Sequence, residues 1–203
     1  MLDRHLHPRI KPLLHQCVRV LDKPGITPDG LTLVGFAIGV LALPFLALGW
    51  YLAALIVILL NRLLDGLDGA LARRRGLTDA GGFLDISLDF LFYALVPFGF
   101  ILAAPEQNAL AGGWLLFAFI GTGSSFLAFA ALAAKHQIDN PGYAHKSFYY
   151  LGGLTEATET ILVFVLMCLL PAWFPVLAYF FAGLCLLTTV TRVVAGIQVF
   201  NSD

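Results

Sequence analysis

The sequence predicts an all-α, polytopic membrane protein of six transmembrane helices preceded by an amphipathic surface helix. Composition is the first observation: of 203 residues, 59% are hydrophobic and 12% are charged, with a mean hydropathy of +0.85. A soluble domain carries about twice that charged share. The second is a set of apolar runs near the length of about 20 residues that crosses a bilayer. They lie at Leu31–Leu48, Trp50–Ala72, Phe83–Ala104, Ala109–Ala134, Leu154–Trp173 and Val176–Phe200. The third is the placement of positive charge. Arg4, Arg9, Lys11, Arg19 and Lys23 precede the first run, Arg73, Arg74 and Arg75 close the second, and Lys135 and Lys146 lie between the fourth and fifth. The connections at Gly49, Pro105 and Pro171 to Pro175 carry no Lys or Arg. Loops rich in Lys and Arg stay on the cytoplasmic side, so six spans put both termini and the 2–3 and 4–5 connections there.

Each element has its own justification. Residues 1–23 mix charge throughout and lack the apolar core of a cleavable signal. From His7 to Leu21, Ile10, Leu13, Leu14, Cys17, Val18 and Leu21 recur at helical spacing, with Arg9, Lys11, His15 and Arg19 largely elsewhere on the wheel. That pattern suits a short helix lying on an anionic membrane surface. We therefore divide the chain into a cytoplasmic segment, 1–30, and a membrane domain, 31–203. Turn signals at Gly49-Trp50, Gly76, Pro105, Asn140-Pro141-Gly142 and Pro171 to Pro175 separate the spans. The fifth is the least regular, because Glu156 and Glu159 occupy its first turns. Cys17, Cys168 and Cys185 show no metal-ligand spacing and read as buried thiols. No internal repeat is evident, which counts mildly against a transporter.

Asp65, Asp68, Asp85 and Asp89 interrupt this apolar chain as an i,i+3 and an i,i+4 pair. A carboxylate at the centre of a membrane helix costs about 2.5–3.5 kcal/mol, so four cost at most about 10–14 kcal/mol. Packing alone does not justify that cost, and a cation should compensate it. Residues three or four apart share a helix face, so each pair projects together from its own limb of a hairpin turning at Arg73–Asp79. At about 1.5 Å per residue, Asp68 lies roughly 12 Å above Gly76, and Asp85 roughly 9 Å above Asp79. The four acids should converge a little inside the cytoplasmic boundary. Oxygen-only ligands suit hard divalent cations, Mg²⁺ first and Mn²⁺ next. Four carboxylates could hold two such ions, an arrangement that favours phosphoryl chemistry. Gly66 and Gly69 each cost about 1 kcal/mol inside a helix, which close approach of a ligand or a neighbouring helix would explain. Arg73 lies one turn beyond Gly69 and is suited to grip a phosphate, whereas interfacial topology accounts for Arg74 and Arg75.

The stretch Asp65-Gly66-Leu67-Asp68-Gly69-Ala70-Leu71-Ala72-Arg73, followed by Gly81-Gly82-Phe83-Leu84-Asp85-Ile86-Ser87-Leu88-Asp89, resembles the signature of the CDP-alcohol phosphatidyltransferase family. That signature reads D-x-x-D-G-x-x-A-R, a spacer, then G-x-x-x-D-x-x-x-D. The spacer from Arg74 to Ala80 is one residue shorter than usual, which bears on loop positions such as Thr78 and leaves both aspartate pairs intact. The resemblance implies a six-helix membrane homodimer with a polar cavity open to the cytoplasm. It implies a pair of divalent cations, Mg²⁺ or Mn²⁺, on Asp65, Asp68, Asp85 and Asp89. It also implies that Asp89 is the general base taking the proton of an acceptor hydroxyl, which attacks the β-phosphorus of a CDP-linked alcohol and expels CMP. Gly69 and Arg73 match positions that contact the CDP moiety. Thr27-Pro28-Asp29-Gly30-Leu31-Thr32 resembles a segment lining the nucleotide pocket, which brings in Asp29 and Thr32; a Pro-led helix start is the plainer reading. The implied partners are a CDP-alcohol lipid, an acceptor alcohol and membrane lipids, with no nucleic acid.

The acceptor should be written in later polar residues. Lys135, Lys146 and Arg192 are candidates for a phosphorylated acceptor, although Lys135 and Lys146 also simply obey the topology rule. Arg192, inside an apolar run, either pairs with Glu156 or Glu159 or binds an acceptor phosphate. Two rival readings stand beside this one: a Mg²⁺-dependent membrane prenyltransferase, resembled through Asn61 and the Asp85–Asp89 spacing, and a divalent-cation channel or carrier.

Overall fold

The computed structural model describes residues 17–19, 21–136 and 153–201. Among the described residues, 17–19 and 21 are helical, and after them come seven α-helices: α1 Pro28–Val40, α2 Ala42–Ala47, α3 Tyr51–Arg75, α4 Asp79–Ala103, α5 Pro105–Lys135, α6 Ala157–Leu169 and α7 Phe174–Phe200, with a 3₁₀ turn at Pro171–Trp173 before the last. Among the described residues there is no strand, as an all-α chain requires. The helix starts are local chemistry. Thr27 accepts from Gly30 N at 3.0 Å at the head of α1, and Thr78 accepts from Gly81 N at 3.1 Å at the head of α4, each relieving an orphan N–H. α1 and α2 form one rod broken at Leu41, because Pro44 cannot donate back to Val40. Gly76, at φ +109, ends α3 in the left-handed region that only glycine enters without strain.

Among the described residues, four pieces are long and apolar enough to cross a membrane: Pro28–Ala47, Asp79–Ala103, Pro105–Lys135 and Pro171–Phe200. α3 runs 25 residues, but from Arg62 onward it carries charged residues. α6 spans 13 residues, about 20 Å at 1.5 Å per residue, shorter than the expected fifth span. Its entry resolves the place of Glu156 and Glu159. They form a capping box, in which Glu159 Oε2 accepts from Glu156 N at 3.2 Å.

The molecule is apolar on its outside. On α3, Leu52, Ile56, Leu59 and Leu63 are exposed, as are Leu110, Trp114, Phe117 and Ile120 on α5. Stripes of that size are untenable in water and natural against lipid tails. This is an integral membrane protein. Its core is aromatic: Phe92, Phe100, Phe164, Phe174 and Phe181 are fully buried, and Phe100 stacks on Phe174 at 4.6 Å between ring centroids.

The packing explains how a polar site survives inside this core. α5 lies along α7, α1 along α3, and α2 along α4. Among the described residues, α3 and α4 lean on α1 and α2 more than on each other. The hairpin limbs therefore splay, and their acidic faces look into a space bordered by α1. Gly39 makes the approach of α1 possible, since a Cβ there would lie 2.9 Å from both Asn61 Nδ2 and Phe92 Cδ2.

The amphipathic helix expected over His7–Leu21 falls mostly outside the described residues. At its end, Val18 is buried with Leu67, Ala70 and Leu71 of α3, so this part of the apolar face meets protein. Cys17 is exposed, against expectation, while Cys168 and Cys185 are buried; its turn presents Val18 to α3 instead. Arg74 and Arg75 do more than mark topology. Arg74 Nε lies 2.7 Å from Asp22 Oδ2, and Arg75 holds Asp22 Oδ1 and the carbonyls of Lys23 and Ile26.

The hydrogen bond from Arg75 keeps the Asp22 carboxyl below the usual aspartate range, with the Arg75 and Arg74 charges acting in the same direction. A lowered folded-state pKa means the clasp contributes above the ordinary aspartate value, about 3.9, and fades as pH falls through the depressed one. Asp22→Ala should raise amide hydrogen exchange across residues 21–26 at neutral pH while α3 itself stays protected. Unchanged exchange there would reduce the clasp to an incidental surface contact.

Candidate active site

The site assembles from three helices. α3 contributes Asn61, Arg62, Asp65, Asp68, Gly69 and Arg73, all near one face at helical spacing. α4 returns Asp85 and Asp89 from the other limb, and α1 brings Thr32 and Asp29. One carboxylate oxygen each from Asp65, Asp68 and Asp85 lies within 4.8 Å of the others. Asp68 is buried, and its Oδ2 is 2.5 Å from Thr32 Oγ1, which also lies 3.1 Å from Pro28 O. Thr32 thus ties the first turn of α1 to the acid cluster. Asp89 lines the same small pocket, but its Oδ1 is held at 2.8 Å by Arg62 Nη2.

Arg62 is the residue that the sequence reading passed over. Its Nη1 lies 3.6 Å from Asp65 Oδ2 and 3.3 Å from Tyr93 Oη, its Nε donates to Asn61 Oδ1 at 2.7 Å, and its guanidinium sits 4.5 Å from the Phe92 ring centroid. Asn61 is itself anchored, donating to Gly35 O at 2.9 Å. The signal was available: Arg62 precedes Asp65 by three residues, on the same face, in an otherwise apolar stretch.

A cleft of about 630 Å³ adjoins the acid pocket and shares Thr32, Asp68 and Asp85 with it. Its walls include Asp29, Gly69, Arg73 and Thr78, so the residues expected to meet the CDP moiety are brought to one space. Two details refine their roles. A Cβ on Gly69 would lie 3.3 Å from Arg73 Nη1, so the missing side chain leaves room for the guanidinium to fold back over the helix. Thr78 spends its oxygen on capping α4, and Asp29 Oδ1 would lie 3.0 Å from a Cβ on Gly81. The first turns of α1 and α4 therefore meet at the cleft, presenting helix N-termini that favour anions.

Of the acceptor candidates, Lys135 is exposed in the last turn of α5 and lines neither cavity. Lys146 lies outside the described residues. Arg192 is buried; it donates to Thr122 O at 2.9 Å and sits 5.7 Å from the ring centroid of Phe126, a wall of the cleft.

Four carboxylates against one embedded guanidinium leave excess negative charge in a desolvated place. Hard divalent cations such as Mg²⁺ and Mn²⁺ fit that oxygen-only donor set better than zinc, which favours His and Cys. Fold and site together define a helical membrane protein with an acid centre among its helices, beside an anion-suited cleft.

The chain belongs to the CDP-alcohol phosphatidyltransferase family, whose model matches residues 25–196. It is an enzyme that transfers a substituted phosphate group from a CDP-alcohol, in phospholipid synthesis. It is 89% identical over 202 residues to the inner membrane protein YnjF of Escherichia coli strain K12, covering 100% of this chain and 98% of that one. It is 40% identical over 98 residues to the archaetidylinositol phosphate synthase of Pyrococcus horikoshii, 48% of this chain and 52% of that protein. In fold it matches the phosphatidylinositol phosphate synthase PgsA1 of Mycobacterium tuberculosis in complex with manganese and citrate. That match has a TM-score of 0.69 and 24% identity, over 91% of this chain and 87% of the other. The same synthase with CDP-DAG bound gives a TM-score of 0.66 at 24% identity, over 91% and 92%. The prenyltransferase and carrier readings give way to this membership.

Proposed function

We propose that the enzyme moves a phosphatidyl group from CDP-diacylglycerol to a phosphorylated alcohol and releases CMP, with its acid centre on the cytoplasmic side. The observation that carries the reading is geometric: three carboxylates within 4.8 Å of one another stand at the edge of a cleft that also holds Arg73. Asp65, Asp68, Asp85 and Asp89 would hold a pair of divalent cations, Mg²⁺ or Mn²⁺. Ions held there would supply positive charge against the diphosphate and make its phosphorus more electrophilic. Manganese accompanies the Mycobacterium tuberculosis synthase, in keeping with this donor set.

The chain's own residues do the rest. Arg73 and the N-terminal turns of α1 and α4 bind the diphosphate, with Gly69, Asp29, Thr32 and Thr78 shaping the nucleotide space. The acceptor hydroxyl oxygen attacks the β-phosphorus, its proton passes to Asp89, and the bond from that phosphorus to the CMP oxygen breaks. Arg73 steadies the negative charge that CMP carries away. A phosphorylated acceptor is supported by the guanidinium of Arg192 beside the Phe126 wall, and by the archaetidylinositol phosphate synthase and the phosphatidylinositol phosphate synthase among the similar proteins. Residues 31–203 form the catalytic domain in this reading, with α3 and α6 crossing the bilayer to complete six spans. Residues 1–30 lie on the cytoplasmic face, and two copies pair, as the family resemblance implies.

The test is CMP release from CDP-diacylglycerol by purified protein, with and without Mg²⁺ or Mn²⁺. Acceptors would be inositol phosphate, glycerol phosphate, serine and phosphatidylglycerol in turn. Metal-dependent release with a phosphorylated alcohol is expected. Release with none of the four, or undiminished release in a chelator, overturns the reading. Arg73→Ala should weaken CDP-diacylglycerol binding by about tenfold or more, the worth of a charge-assisted bidentate contact. An unchanged dissociation constant would return Arg73 to a purely topological role.

A further inference from the structure

Arg62 is built into the acid pocket as firmly as any carboxylate there. Every arm of its guanidinium is engaged: Nε by Asn61 at 2.7 Å, Nη1 by Tyr93 at 3.3 Å and Asp65 at 3.6 Å, and Nη2 by Asp89 at 2.8 Å. Phe92 and Tyr93 cover it, at 4.5 and 5.3 Å from the ring centroids. A side chain held at that many points cannot swing away as a surface arginine can. The carboxylates are thereby sorted. Asp65, Asp68 and Asp85 offer oxygens to one small volume, Arg62 reaching Asp65 only at 3.6 Å, whereas the Asp89 oxygen held at 2.8 Å is already committed to that positive charge.

We infer that Arg62 makes the two cation positions unequal, a tight one at Asp65, Asp68 and Asp85, and a weak one that must share Asp89 with the guanidinium. Arg62 is a positioning residue here: it acts through Asp89 and Asp65, on ions rather than on substrate. The inference rests on the two-cation reading of the site. Its physical basis is simple. A cation arriving beside Asp89 meets a like charge in a low-dielectric pocket, and the carboxylate must divide its lone pairs between them. Asp68, steadied by Thr32 on the far side, faces no such competitor.

The experiment is Mn²⁺ binding to the purified full-length protein in detergent, followed by electron paramagnetic resonance of free Mn²⁺ and by calorimetry. The native chain should bind in two classes, and Asp89→Asn should delete the weak class while sparing the tight one. Arg62→Met keeps an unbranched stem under Phe92 and removes the charge; it should tighten the weak class by about tenfold or more. Arg62→Lys, which retains the charge, should leave the two classes apart and serves where the Met variant does not fold. Two ions bound with equal affinity by the native chain overturn the inference while leaving the two-cation reading standing. So does a weak class that stays put or loosens in Arg62→Met. Absence of any Mn²⁺ binding overturns both.

Discussion

Asp89→Asn should lower phosphatidyl transfer by about 10²–10⁴-fold, the range over which a positioned base contributes, while CDP-alcohol binding largely survives. The separation follows from where Asp89 stands. It lines the acid pocket with Arg62 and does not line the 630 Å³ cleft that holds Arg73. An asparagine keeps a carbonyl for Arg62 Nη2 and so preserves the local fold, but it cannot accept a proton. CMP release measured beside equilibrium binding of CDP-diacylglycerol checks this. Turnover close to that of the native enzyme would strip Asp89 of its role as base.

The second large effect concerns stability and activity together. Asp85 and Asp65 approach from opposite limbs of the hairpin, within the 4.8 Å cluster. Without cations, like charges this close oppose folding. Asp85→Asn removes one charge and supplies an N–H donor to the remaining carboxylates. In chelator, the variant should melt higher than the native protein, by a few degrees for about 1 kcal/mol. Its activity should fall by at least about 10²-fold, and the rise in Tm that Mn²⁺ gives the native chain should shrink, because stabilisation by a ligand tracks its affinity. A variant that melts lower in chelator, yet still gains the full Mn²⁺ shift, would contradict the shared centre. Activity sites commonly hold such stored repulsion, so stability and function move in opposite directions.

Much of this was readable in the residues because membrane helices leave few ways to hide charge. The pairs Asp65–Asp68 and Asp85–Asp89 had to share faces, and the turn at Gly76 had to bring those faces to similar depth. Gly69 beside Arg73 was legible too, and both line the cleft, with the guanidinium folded back over the glycine. Other features needed three dimensions. The role of Arg62 is not legible from spacing alone, because its partner Asp89 lies 27 residues away on another helix. Glu156 and Glu159 looked like intruders in a span, because a capping box led by glutamate lacks the usual Ser or Thr. The splay of α3 from α4 could not be read at all. It depends on α1 and α2 taking the packing surface, which periodicity within one helix does not record.

The bond from Thr32 to Asp68 fastens the leading rod to one acid of the centre, between two helices that lie along one another. Tilt is how such rods answer a bilayer thinner or thicker than their own apolar length. With α1 and α3 joined at this point, a change of tilt in one would strain the hydroxyl–carboxylate contact unless the other followed.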